Sequence, residues 1–228
     1  MDSAIRQHPD AESLVKLLRA QKDRLTLAHI VTIWDKLAAA HESSRVSTSS
    51  IQALELSCQA ALLRQSDFDS AFCRHGVACM KKFKSSELSK CTSLLEALCD
   101  RLLASLESSQ APDVSCIFDG LALMQAERSP SFWESLSARA ICVLEDFDLL
   151  NLADILAAAA MLKVNEWCAE FIEAACLQAA QLIERSDKTL IREPKVVANV
   201  MWAFATMQQP LPDQLLHLVL AKFQQIPH

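Results

Sequence analysis

The chain has 228 residues, of which 51% are hydrophobic, with two glycines, seven prolines and no tyrosine. This composition excludes disorder and leaves little turn chemistry for sheets, so it points to an all-α protein with a sizeable core. The formal charge of −6 runs against a free-standing nucleic-acid binder, whose affinity draws on a basic surplus, and no run of eighteen apolar residues is present to span a membrane.

In chain order, the N-terminus carries Asp2, Asp10 and Glu12, which make it a poor cleavable transit peptide. Residues 10 to 22 read as a leading cap helix within a segment 1–24. Polar punctuation then separates helical runs at 41–50, 106–113, 126–131, 185–194 and 208–212. Ser129 before Pro130 reads as an N-cap followed by proline at the first helical position. Sliding the helix that ends at Met207 ("VMWAFATM") along the chain finds counterparts ending at Leu37 ("IVTIWDKL"), Met80 ("CRHGVACM"), Met124 ("IFDGLALM") and Leu162 ("ILAAAAML"). These anchors are separated by 43, 44, 38 and 45 residues.

Each anchor helix is followed by a second amphipathic helix, at 48–65, 86–107, 131–146, 166–185 and 213–224. The expected fold is an α-solenoid of about five stacked helical hairpins, about eleven helices with the cap. As one domain over 1–228, its hairpins cover 25–65, 66–108, 109–146, 147–187 and 188–228.

The repeat columns make physical sense. Seven residues before the anchors stand Ile30, Cys73, Ile117, Ile155 and Val200; four before stand Ile33, Gly76, Gly120, Ala158 and Ala203. Both glycines fall in one column. A helical glycine costs about 1 kcal/mol relative to alanine, so a close helix crossing is expected there. Ile33 and Asp35 depart from their columns, as an atypical terminal unit would.

The run "VMWAFATM", with "ILAAAAML" and "IFDGLALM", resembles the organellar helical-repeat families: octotricopeptide and heptatricopeptide repeats and the helical region of FAST-kinase-like proteins. Those repeats carry an aliphatic–Trp–Ala–hydrophobic–Ala–x–hydrophobic run on the first helix. Trp202, Ala203, Phe204, Ala205 and Met207 match it best. The resemblance implies a mitochondrial or plastid protein engaged with RNA. Many members end in an α/β RAP module, which is not expected here because the chain ends soon after the last helix.

No glycine-rich phosphate loop, H-E-x-x-H or G-x-S-x-G motif is present, and no enzyme is expected. Glu145, Asp146 and Asp148 read as a solvated turn. The nine cysteines form no C-x-x-C pair and read as small buried hydrophobes in a reducing compartment. A zinc site from Cys73, His75 and Cys79 would need three side chains of one helix to converge, and they point in different directions, so no metal or other cofactor is expected.

Two basic clusters lie in inter-helix loops and are the RNA-binding candidates: Lys81, Lys82, Lys84 and Lys90, and then Lys188, Arg192 and Lys195. On the last anchor helix, Lys195, Asn199, Trp202 and Thr206 fall on one strip, of which Asn199, Trp202 and Thr206 are partner-surface candidates. The positions equivalent to Trp202 are Thr32, His75, Asp119 and Ala157. The functional expectation is a non-catalytic interaction module of an organellar ribonucleoprotein. Its host would be a mitochondrial ribosome, where it touches rRNA and neighbouring proteins; no small-molecule substrate is expected. The alternative is a protein–protein scaffold or accessory subunit of another mitochondrial complex, without RNA contact.

Overall fold

A computed structural model of the chain describes residues 10–42, 47–164, 166–185 and 194–210, together with positions 213, 216, 217 and 220. The described residues form α-helices joined by short turns, with no strand among them. The chain divides into two compact units, Met1–Ala104 and Ser105–His228.

The first unit contains α1 (Ala11–Gln21), α2 (Leu27–Glu42), α3 (Thr48–Leu62), α4 (Ser70–Met80), the short α5 (Ser85–Leu88) and α6 (Thr92–Leu103). Short polar side chains start the helices. Asp10, Ser47 and Asp69 accept from the backbone N–H groups of Ser13, Ser50 and Phe72 at 2.7, 3.1 and 2.7 Å, satisfying donors that a helix start leaves unpaired. The anchor helices α2 and α4 pack on each other, while α3 takes α1 on one side and α6 on the other. The unit is therefore two helix layers, with α1 occupying the place of a second helix.

Its core centres on Trp34, fully buried, whose ring lies 5.3 Å from that of Phe72. The indole Nε1–H donates to Ser57 Oγ at 3.0 Å, so the one polar atom of the ring is satisfied in the dark. Gly76 of α4 lies where α2 and α6 converge. A Cβ there would stand 2.8 Å from Leu98 Cδ1 and 3.1 Å from Trp34 Cζ3. A side chain there would press on both neighbours, and no glycine in the chain has positive φ.

The region expected as one helix over 86–107 is broken at Ser89–Cys91 into α5 and α6. The hydroxyls of Ser89 and Thr92 donate to the carbonyls of Ser86 and Ser89, a local alternative to the helix ladder.

The second unit contains α7 (Ala111–Met124), α8 (Pro130–Cys142), α9 (Leu149–Leu162), α10 (Ala169–Arg185) and α11 (Pro194–Thr206). Ser129 caps α8 through the Phe132 N–H, with Pro130 in the first turn, as the sequence indicates. Here α9 packs between α7 and α11, and α10 packs on α8. Alanines 158, 159 and 160 are buried and let α9 approach both neighbours closely. Phe118, Trp133, Phe147 and Phe171 form the aromatic core, with Phe118 6.0 Å from both Trp133 and Phe171. The expected helix over 213–224 lies largely outside the described residues.

The repeat register is visible in both units. Every residue of the columns seven and four before the anchors is buried, as are Trp34, Val77, Leu121, Ala159 and Phe204, three before them. In the second unit the residue after each anchor turns left-handed: Gln125, Lys163 and Gln208 have φ of 49°, 56° and 55°. The next amides, of Ala126, Val164 and Gln209, donate back to the carbonyls of Leu121, Ala159 and Phe204 at 3.0, 3.3 and 3.0 Å. This is the Schellman ending, repeated three times in one register.

A 3-10 turn follows α1, α3, α6 and α8, and the residue after it (Leu25, Phe68, Ser109, Phe147) is buried. Arg101 donates to the Phe68 carbonyl at 2.8 Å and Arg139 to that of Ser109 at 2.9 Å. An arginine on the second helix thus ties down the extended chain before the first helix of the same hairpin.

Candidate functional site

The basic turn of the second hairpin follows α4. Lys81, Lys82 and Lys84 are exposed, while Phe83 between them is buried. The turn is held from beneath: the His41 ring meets Phe83 edge-on at 5.1 Å, and His41 Nε2 lies 3.0 Å from Glu87 Oε2. The same carboxylate oxygen accepts from the Lys84 backbone N–H at 2.8 Å. The lysines therefore extend from a fixed backbone. The ammonium of Lys90 pairs with Glu55 of α3 at 3.0 Å.

Of the second cluster, Lys195 is exposed at the start of α11, and Lys188 and Arg192 lie outside the described residues. Asn199 is partly exposed, Trp202 is 48% exposed and Thr206 is exposed. Ala198 and Ala205 are exposed as well, so α11 presents a broad face around Trp202 while Val197, Val200, Ala203 and Phe204 turn inward. Thr32, His75, Asp119 and Ala157, in the column of Trp202, are each partly exposed. Beside α11 lies a groove of about 570 Å³ lined by Cys176, Leu177, Phe204, Gln209 and Pro210.

The divergence expected of Cys73, His75 and Cys79 holds only for Cys73. It is fully buried, 200° around the helix from His75 at 100° per residue. His75 and Cys79, four residues apart, share a face of α4, and Cys79 Sγ lies 3.3 Å from His75 Nε2. Asp35 of α2 completes the group: its Oδ1 lies 2.9 Å from His75 Nε2 and 3.6 Å from Cys79 Sγ. The three ligand atoms all fall within 4.8 Å of one another. Burial, followed by the Asp35 carboxylate, pushes the Cys79 thiol up to about 12.

The group is not a nucleophilic relay. In a Cys–His–Asp relay the thiol and the carboxylate address opposite ring nitrogens. Here both address Nε2, which offers either a proton or a lone pair and not both. By sequence alone, the departure of Asp35 from its repeat column reads as a terminal irregularity. That departure, with a His-x-x-x-Cys pair on the next anchor helix, was the available signal.

Eight of the nine cysteines are buried and Cys142 is exposed, in line with their reading as small hydrophobes. Cys58 of α3 and Cys91, just before α6, lie with their sulfurs 3.4 Å apart. The thiol of Cys58 donates to Cys91, which raises the first and lowers the second. Asp148, read as part of a solvated acidic turn, is the N-cap of α9 and accepts from the Asn151 N–H at 2.7 Å. Among the described residues no helix is long and apolar enough to cross a membrane. Comparison with known proteins finds no matching family, no matching curated protein and no matching solved structure.

Proposed function

We propose that the chain is a non-catalytic helical-repeat interaction module that contacts RNA phosphates within an organellar ribonucleoprotein, a mitochondrial ribosome with its rRNA and neighbouring proteins. The observation that carries the RNA contact is the turn after α4. Lys81, Lys82 and Lys84 project from a backbone pinned by Phe83, His41 and Glu87. Cations held on an ordered turn lose less freedom on meeting a phosphate than cations on a loose loop. The organellar host rests on the resemblance of the fifth repeat.

The acidic total charge of −6 favours a module embedded in an assembly over one that captures RNA unaided. Sedimentation of organelle lysates tests this. The protein should travel with ribosomal particles and move to light fractions after ribonuclease. Migration as a light species insensitive to ribonuclease sinks the proposal.

One observation favours a second reading, a protein–protein scaffold without RNA. Trp202 stands 48% exposed, Leu177 beside the neighbouring groove is 55% exposed, and exposed tryptophan is a frequent interface anchor. Charge reversal at Lys81, Lys82 and Lys84 separates the two. RNA-linked association falls under the first reading, whereas Trp202→Ala has the larger effect under the second.

A further inference from the structure

We propose that Asp35, His75 and Cys79 bind a divalent transition-metal ion of the zinc class, joining α2 to α4. None of the lysines is a ligand, although Lys82 lies close enough to act electrostatically on Cys79. One oxygen, one nitrogen and one sulfur from two packed helices converge on a common point. With metal distances of about 2.0 Å to nitrogen or oxygen and about 2.3 Å to sulfur, tetrahedral geometry places nitrogen and sulfur about 3.5 Å apart and nitrogen and oxygen about 3.3 Å apart. The separations here are 3.3 Å for His75–Cys79, 2.9 Å for Asp35–His75 and 3.6 Å for Asp35–Cys79. An outward shift of a few tenths of an ångström admits the ion.

The donor set decides the class of metal. Thiolate and imidazole select zinc, cobalt and their neighbours over magnesium and calcium, which take oxygen ligands. His75 binds through the lone pair of Nε2 with its proton on Nδ1, and Asp35 binds as the carboxylate. The Cys79 thiol gives its proton to solvent as the metal–sulfur bond forms, so one proton leaves per ion. The Asp35 side chain is 56% exposed and that of His75 38%, which leaves the fourth position open to water.

The backbone supports the arrangement on both sides. Cys79 is 4% exposed and its position on α4 is set by the crossing at Gly76, one turn before it. Asp35 follows the fully buried Trp34, whose ring is locked by Ser57. The ligands thus sit on rigid elements, which is what a preformed site requires.

The test uses the full chain, freed of metal by chelator under reducing conditions. Zinc titration by calorimetry should give one ion per chain. Cobalt should give a thiolate-to-metal charge-transfer band that persists in Cys142→Ser and is absent from Cys79→Ser. Asp35→Asn and His75→Ala should each weaken zinc by about 100-fold or more, beyond the loss typical of an outer-sphere partner. Lack of stoichiometric binding overturns the proposal, and so does unchanged affinity in His75→Ala or a thiolate band that survives Cys79→Ser. If Cys79→Ser loses its helical circular dichroism, X-ray absorption of the zinc-loaded native chain decides. A shell with one sulfur at about 2.3 Å and nitrogen or oxygen at about 2.0 Å supports the site. A shell without sulfur, or with sulfur alone, refutes it.

Discussion

Gly76 illustrates how a single atom is constrained by three helices. Alanine there would regain about 1 kcal/mol of helix propensity, and the end of the Leu98 side chain can turn aside, so the net loss should be small. Valine adds branches toward the rigid Trp34 ring, 3.1 Å from the Cβ position, and should cost about 2–3 kcal/mol through overpacking. Urea unfolding midpoints of Gly76→Ala and Gly76→Val check the difference. The buried thiols set a second expectation. Desolvation raises Cys168 from the usual 9.0 to about 11 and Cys176 to about 12. A raised folded-state value means the stabilising preference for the neutral thiol is complete below pH 9.0 and is lost as pH rises toward 11 and 12. Stability should therefore decline above pH 9, with a shallower slope in the Cys168→Ala/Cys176→Ala variant. At this scale the crossing at Gly76 was legible because a helical glycine has a recognisable cost. Asp35 was not, because its partners lie 40 and 44 residues away on another helix.

At the scale of elements, the three Schellman endings in the second unit place Gln125, Lys163 and Gln208 in left-handed backbone, a conformation that costs a non-glycine residue about 1 kcal/mol. Gln125→Gly and Lys163→Gly should each raise stability by about 0.5–1 kcal/mol, read from thermal midpoints. Arginine ties act in the opposite sense. Arg101→Ala and Arg139→Ala leave the part-buried carbonyls of Phe68 and Ser109 without these bonds and should cost about 1–2 kcal/mol, somewhat below the range for fully buried charged hydrogen bonds because both side chains retain contact with water. Helix positions were largely legible, since the apolar period of 3.6 survives in every described repeat. The helix endings were less so. The repeated Asp-Phe-Asp at 67–69 and 146–148 marks a 3-10 turn, a buried plug and an N-cap in succession. Glycine and proline are absent there, so aspartate is the turn signal that remains, and a phenylalanine between two aspartates hides it inside an apolar run.

For the whole molecule, the relevant quantity is how charge is distributed over an acidic total of −6. If the turn after α4 meets RNA phosphates, replacing Lys81, Lys82 and Lys84 with glutamine should flatten the logarithmic salt dependence of RNA association by about 2 to 3, given a contribution of about 0.7 to 0.9 per phosphate contact. A filter-binding series on the assembly with and without these changes measures it. Of the candidate surface, the lysine turn and the Trp202 strip could be placed from sequence because position within a repeat predicts exposure.

The order of apolar and small residues by itself determined most of the helices among the described residues, the pairing of the first four hairpins and the columns that face inward. Those follow from local periodicity, which every repeat restates. Only the tertiary structure decided which side chains meet across helices: Glu87 reaching His41 beneath the lysine turn, Arg101 reaching back to Phe68, and Asp35 joining His75 and Cys79. Such meetings depend on the rotation and depth of each helix against its neighbour. The crossing at Gly76 and the packing of Trp34 set these, and no single helix carries that information.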